Sequence, residues 1–152
     1  MIKMNKKDIL ILTNLRKNAR MPLTKMSRET QIPVSTLFDR LKAKEKEFIL
    51  KHTSLINFTK LGYHTRANIL IKVDRDDKES LREFLLNNSS TNSIYRVNNG
   101  FDFMIEVIFK QIKDLEEFLE IVDNKFKIEN RKSYFIIEDI KKEEFMSDPN
   151  ML

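Results

Sequence analysis

The chain has 152 residues, 41% hydrophobic and 34% charged, with 28 Lys plus Arg against 23 Asp plus Glu, a net charge of +5 and a pI near 9.3. That length buries a core in one ordinary domain or two small ones. No Cys and only two Gly exclude disulfides, thiolate-held zinc, iron–sulfur clusters, a Cys nucleophile, a Walker loop and a dinucleotide-binding fingerprint. No apolar run is long enough for a membrane helix. The N-terminus has no small-residue cleavage site, so a soluble, cytoplasmic chain is expected.

The charge is unevenly spread. Residues 1–62 hold fourteen Lys plus Arg against five Asp plus Glu, a balance of +9, and residues 63–152 hold fourteen against eighteen, a balance of −4. Two domains with different partners are expected, 1–62 and 63–152. A concentrated positive charge is the electrostatic footprint of a nucleic-acid binder; a lysine-rich solvated surface is the bland alternative.

In the basic part, Asn5 caps a helix and Asp8 supports its N-terminal dipole. Ile9, Leu12 and Leu15 share a face, with Ile11 beside them, and Lys17, Asn18 and Arg20 end the helix. Pro22 marks a break. A short helix over about Leu23 to Thr30 buries Leu23 and Met26. Gln31, Ile32 and Pro33 form a tight turn. A third helix runs to about Lys46, with Leu37 and Leu41 inward, helped by Val34 and Phe38. Phe48, Ile49 and Leu50, then Leu55 and Ile56, read as two short strands around a Lys51–Ser54 tip. The order is that of a winged helix-turn-helix. Its third helix enters the DNA major groove. The candidate contacts on it are Ser35, Thr36, Asp39, Arg40, Lys42 and Lys46. Arg40 suits guanine or a phosphate, and Asp39 accepts from cytosine or orients Arg40. Lys25, Lys42, Lys46 and Lys51 suit phosphate, which gives affinity without sequence.

The acidic part begins with a period-two strand, Ala67, Ile69, Ile71 and Val73 alternating with Asn68, Leu70 and Lys72. Asp76 with Glu79 reads as a capping box before a helix that buries Leu81, Phe84 and Leu85. A second strand spans Ser93 to Val97, and Asn98, Asn99 and Gly100 signal a hairpin turn. A third strand runs Phe101 to Phe109. Asp114 and Glu117 repeat the capping pattern ahead of a helix with Leu115, Phe118, Leu119, Val122 and Phe126 on one face. Tyr134 to Ile140 reads as a fourth strand. This is a βαββαβ, ferredoxin-like α+β sandwich. The second sheet face carries Leu70, Met104, Ile108, Tyr134 and Ile136, so a homodimer at least is expected.

The order of these parts resembles the Lrp/AsnC (feast/famine) family of transcriptional regulators, from about Lys6 to Phe145. The carrying residues are Asp8-Ile9-Leu10 with Leu15 and Asn18-Ala19-Arg20, then the Leu37, Arg40, Leu41 spacing. Ile56-Asn57 with Leu61-Gly62 follows at the junction, and Val97 through Phe103 forms the effector-domain turn. The resemblance implies double-stranded DNA as a partner, dimers or higher even assemblies such as an octamer, and an amino acid or related metabolite as effector. It places the effector on Asn98, Asn99, Gly100, Phe101 and Asp102. Departures from the family pattern are Gln31 where a turn Gly is usual and Pro33 where a Ser cap is usual, leaving Ser35 to cap the helix or reach a base. Lys44 stands where a leucine is usual, so the third helix should fray there. The wing Gly is missing at Glu47-Phe48, and Asn99 stands where the loop Gly is usual.

The rival readings are an effector-independent architectural DNA binder and a decarboxylase-like enzyme on the same fold pair. Only His52 and His64 would serve a histidine-dependent site, and Asp74, Asp76 and Asp77 read as caps and turns better than as a hard-metal site. No catalytic residue, cofactor or metal is expected.

Overall fold

The computed structural model describes residues 5–148; residues 1–4 and 149–152, the ends of the two expected domains, lie outside the described part. The chain divides into two compact units. One takes in the chain up to Leu55 and again from Ile140, and the other runs Ile56–Asp139. The division thus falls ahead of Gly62, and the last described residues group with the basic unit.

The first unit is built on α1 (Lys6–Lys17), α2 (Leu23–Thr30) and α3 (Val34–Phe48). Asn5 caps α1: its Oδ1 accepts from the Asp8 amide at 3.0 Å, while its own amide donates to Asp8 Oδ2 at 3.4 Å. Two of the four orphan donors of the first turn are thereby satisfied. Thr13 and Asn14 are buried, and each donates back to the carbonyl four residues earlier. Ile11, Met21, Met26, Ile32 and Leu37 form the small core, with Leu10, Leu15, Leu23 and Leu41 packed on it. Gln31 takes the left-handed conformation at the end of α2, φ 56°. Its Nε2 donates to the Arg28 carbonyl at 2.8 Å, a local bond that offsets part of the strain of a non-Gly residue there.

Three expectations for this unit are corrected. The third helix does not fray at Lys44 but continues to Phe48; Lys44 pairs with Glu47 at 2.8 Å and lies 5.4 Å from the centre of the Phe48 ring, contacts made along the last turns of the same helix. Pro33 occupies the N-cap with no side-chain cap bond, and Ser35 lies inside the first turn without capping it. The two wing strands do not form: among the described residues, 49–57 hold no strand. Leu50 is fully exposed and the Lys51–Ser54 tip has no Gly or Asn–Gly pair for a tight hairpin, so neither packing nor turn chemistry favours pairing.

The second unit contains β1 (Thr65–Val73), α4 (Lys78–Asn87), β2 (Thr91–Arg96), β3 (Phe103–Phe109), α5 (Ile112–Lys125) and β4 (Ile128–Phe135). The sheet order is β2-β3-β1-β4, with every neighbouring pair antiparallel. This is the expected ferredoxin-like arrangement. Alternate residues of β1 are buried throughout, as the period-two pattern requires. Ala67, Ile69, Ile71 and Val73 meet Phe103, Ile105 and Val107 across the sheet, and Leu81, Leu85, Leu115, Phe118 and Val122 cover that face from α4 and α5. Phe118 sits between Phe84 and Phe109, with ring centres 6.2 and 5.5 Å away.

The fourth strand is Ile128–Phe135 rather than Tyr134 to Ile140. Its register is fixed by β1, from Val73 opposite Ile128 to Ala67 opposite Phe135. This edge strand is polar, so its apolar signal is weak, whereas Ile137 and Ile140, which supplied the apolar pattern, are almost fully exposed. The capping sites also differ. Asp74, not Asp76, bonds the short turn ahead of α4, and Asp114 Oδ2 accepts from the Gln111 amide at the start of α5. Among the described residues no helix is long and apolar enough to cross a membrane.

Candidate nucleic-acid interface and effector loop

The turn between α2 and α3 sets the first site. Left-handed Gln31 reverses the chain, buried Ile32 plugs the core, and Pro33 starts α3. At 100° per residue, Leu37 and Leu41 face inward. Ser35, Asp39, Lys42 and Lys46 then fall in an outward stripe about 60° wide. All four are exposed, and among the described residues none is in an ion pair. Thr36 and Arg40 lie on one flank, both half-buried.

Arg40 has a specific partner. Its Nη1 donates to Asp8 Oδ1 at 2.8 Å, and the Asp8 side chain is 4% exposed. The same carboxylate therefore caps α1 with one oxygen and holds α3 with the other. Arg40 is fixed to the seam between two helices rather than carried on the outer stripe. Lys25 lies on α2 beside Glu29 at 3.8 Å. Lys51 lies in the extended segment after α3, exposed, while His52 contacts Glu45 at 2.9 Å.

The sequence reading missed Phe38 and Val34. Both were expected to support the core, yet they are 55% and 41% exposed. The signal was present: with Leu37 and Leu41 inward, Phe38 must sit about 100° round the helix. An exposed aromatic on this helix offers apolar contact to a thymine methyl.

In the second unit, residues 97–102 join β2 to β3. Val97 donates to the Asp102 carbonyl at 3.0 Å, closing the loop. Asn99 and Gly100 both have positive φ, 61° and 85°, which Asn tolerates and Gly adopts freely. Asn98, Asn99 and Gly100 are exposed, Phe101 is half-buried with the Lys132 ammonium 5.7 Å from its ring centre, and Asp102 is buried. Asp102 is fully engaged. It pairs with Lys78 and with Lys72 at 3.3 Å, and accepts from the Val73 amide at 3.2 Å. Burial pushes its carboxyl up, but these hydrogen bonds, led by that from Lys78, outweigh burial and hold it below the usual carboxylate range. Asp102 thus ties the loop to the end of β1.

Asp74 and Asp77 are likewise occupied. Lys127 donates to Asp74 through its ammonium at 3.0 Å and to Asp77 through its amide at 2.7 Å. The loop 98–102 lines neither of two clefts in this unit, one at the start of β1 and the other along β4.

The family described as the Lrp/AsnC ligand binding domain matches residues 66–145. An uncharacterized HTH-type transcriptional regulator of Pyrococcus furiosus is 31% identical over 127 residues, spanning 83% of this chain and 84% of the relative. The HTH-type transcriptional regulator FL11 of the same organism is 29% identical over 116 residues, 76% of this chain and 77% of that one. Among solved structures, the L-Met complex of a Neisseria meningitidis transcriptional regulator matches with a TM-score of 0.85 at 19% identity, covering 92% and 94% of the two chains. E. coli AsnC matches at 0.81 and 17% identity, covering 93% and 97%.

Proposed function

Because the chain belongs to the Lrp/AsnC family of transcriptional regulators, we propose that it binds duplex DNA through α3 and assembles as a homodimer or a higher even assembly. The observation that carries the DNA reading is the outward stripe of Ser35, Asp39, Lys42 and Lys46 behind a helix-turn-helix core. In this reading Ser35 and Asp39 read base edges, Phe38 touches a thymine methyl, and Lys42 and Lys46 neutralise phosphates. Thr36 and Lys25 contribute flanking backbone contacts, and Lys51 reaches phosphate from the extended segment. Arg40 positions α3 through Asp8 and presents its remaining N–H groups at the groove edge. The dimer covers the second sheet face, where Leu70 and Met104 lie opposite each other and Tyr134 is half exposed.

The test is selection of bound fragments from a random pool, with and without amino acids. A two-fold symmetric consensus supports the reading, because a dimer reads two half-sites. Binding without any sequence preference removes the base-reading role of α3.

An amino-acid effector at residues 98–102 is the corresponding proposal for the second unit. It is supported by the Lrp/AsnC ligand-binding match and by the L-Met complex of the Neisseria regulator. The engagement of Asp102 by Lys72 and Lys78 favours a second reading, in which the loop is structural and the regulator works without an effector. A thermal shift with single amino acids separates the two, since a ligand of the folded state raises the midpoint.

A further inference from the structure

We infer that the second unit carries an anion-binding cleft, separate from loop 98–102, suited to a small carboxylic acid with a branched apolar chain and no ammonium group, such as a 2-oxo acid. The cleft is about 600 Å³ and lies where β1 begins, β3 ends, α5 starts and β4 ends. That size suits a small metabolite. Loop 98–102 is tied to the opposite end of β1, where the Asp102 amide donates to Ile71, about 20 Å away along the strand.

The lining holds residues of two kinds. The polar ones include His64, Arg66 and Lys110, and no lining residue has a carboxylate, although residues 63–152 are net acidic. Arg66 is already compensated by Asp139 and by Glu106 at 3.6 Å. Its Nε is nonetheless shielded from solvent and has no hydrogen-bond acceptor. The side chains of His64 and Lys110 form no hydrogen bond or ion pair among the described residues. They are two uncommitted donors in a cleft whose lining holds no acid. The apolar lining residues are Ile112, Phe135 and Ile136; Ile112 and Phe135 are half exposed, and Ile136, opposite Arg66, lies on the other side of the sheet from Phe135.

A carboxylate satisfies Lys110 and His64, and a branched chain covers Ile112 and Phe135. An α-ammonium would meet Lys110 and find the carboxylates of Glu106 and Asp139 already paired with Arg66, so the cleft selects against the amino acid of the same side chain. The inference goes beyond the effector reading and does not depend on it, since it concerns different residues.

The experiment is calorimetric titration of the full chain with 4-methyl-2-oxopentanoate, L-leucine and inorganic phosphate. The expected result is binding of the 2-oxo acid, with leucine and phosphate each weaker by about tenfold or more. Lys110→Ala and His64→Ala, both at exposed positions, should each weaken the 2-oxo acid by about tenfold, with unchanged unfolding midpoints. Asn98→Ala should leave it unaltered. No binding of the 2-oxo acid overturns the inference, as does equal affinity for leucine or phosphate. Loss of binding in Asn98→Ala instead of Lys110→Ala moves the ligand to the loop and also overturns it. None of these outcomes bears on DNA binding, which is read by a different assay.

Discussion

Two carboxylates that look alike in the sequence do different work. Asp8 reads as a dipole residue of the first turn, yet its second oxygen holds Arg40 across the helix seam. Removing Arg40 leaves a buried carboxylate without its charge partner, which is more destabilising than losing an exposed pair. Arg40→Ala should therefore lower the stability of the first unit by about 1–3 kcal/mol, besides any loss of DNA binding. Denaturant unfolding of Asp8→Ala, Arg40→Ala and the double variant checks this: additive effects would mean that the two side chains are not coupled. Asp102 is the other case. Its folded pKa is lowered, because hydrogen bonds from Lys78, Val73 and Lys72 outweigh burial. A carboxyl lowered in the folded state stabilises the protein fully above its unfolded value, about 4. That contribution is lost as pH falls through the lower folded value. Asp102→Asn should thus cost about 1–3 kcal/mol at neutral pH and flatten the fall in stability below about pH 4. Urea unfolding across the acid range measures both, and an unchanged acid slope in the variant would remove Asp102 as its source.

At the scale of elements, what could be read from sequence follows from where the burial lies. The first two helices and β1 were legible as elements, and Asn5 and Pro22 mark where the helices begin, but the inward face of α1 was misread: Ile9, Leu12 and Leu15 were expected there, and the buried residues are Asp8, Ile11, Thr13 and Asn14. The turn was legible too, down to a left-handed Gln31. Gln31→Gly should stabilise the first unit by about 0.5–1 kcal/mol, because Gly adopts that conformation without a Cβ clash. A thermal midpoint that falls instead would show that the Gln31–Arg28 bond outweighs the strain. The failures share a different cause. Edge strand β4 has almost no apolar alternation, and its place is set by β1 across the ladder, which no local pattern reports. The wing was inferred from apolar residues of which Leu50, Leu55 and Ile56 in fact stay exposed; apolarity without a turn or a partner surface does not make a hairpin. On α3 the inward pair was right, but Phe38 was assigned by hydrophobicity when its angle put it outside. The candidate DNA face was therefore legible as a helix, with Phe38 and Val34 both wrongly assigned to its buried side. Loop 98–102 was legible as a turn but not in the burial of Asp102, because Lys72 and Lys78 reach it from β1 and α4.

Over the whole molecule, the modest net charge of +5 is the difference between a basic segment of +9 and an acidic one of −4. If binding to DNA followed net charge alone, removing a lysine anywhere would weaken it alike. Screening argues otherwise, since at about 0.1 M salt charges farther than about 10 Å from the phosphates are largely screened. Only lysines that meet phosphate release counterions. On the proposed interface, Lys46→Ala should weaken binding to every sequence and reduce the salt slope by about one. Lys113→Ala changes the net charge equally but sits on α5, exposed and paired with Glu117 at 3.7 Å; its slope should match that of the unaltered chain. Affinity measured from about 50 to 200 mM salt for all three proteins separates the cases. Equal slopes for the two variants would replace the α3 stripe with a diffuse charge effect. A change in preferred sequence with Lys46→Ala would make that lysine a base reader rather than a phosphate contact.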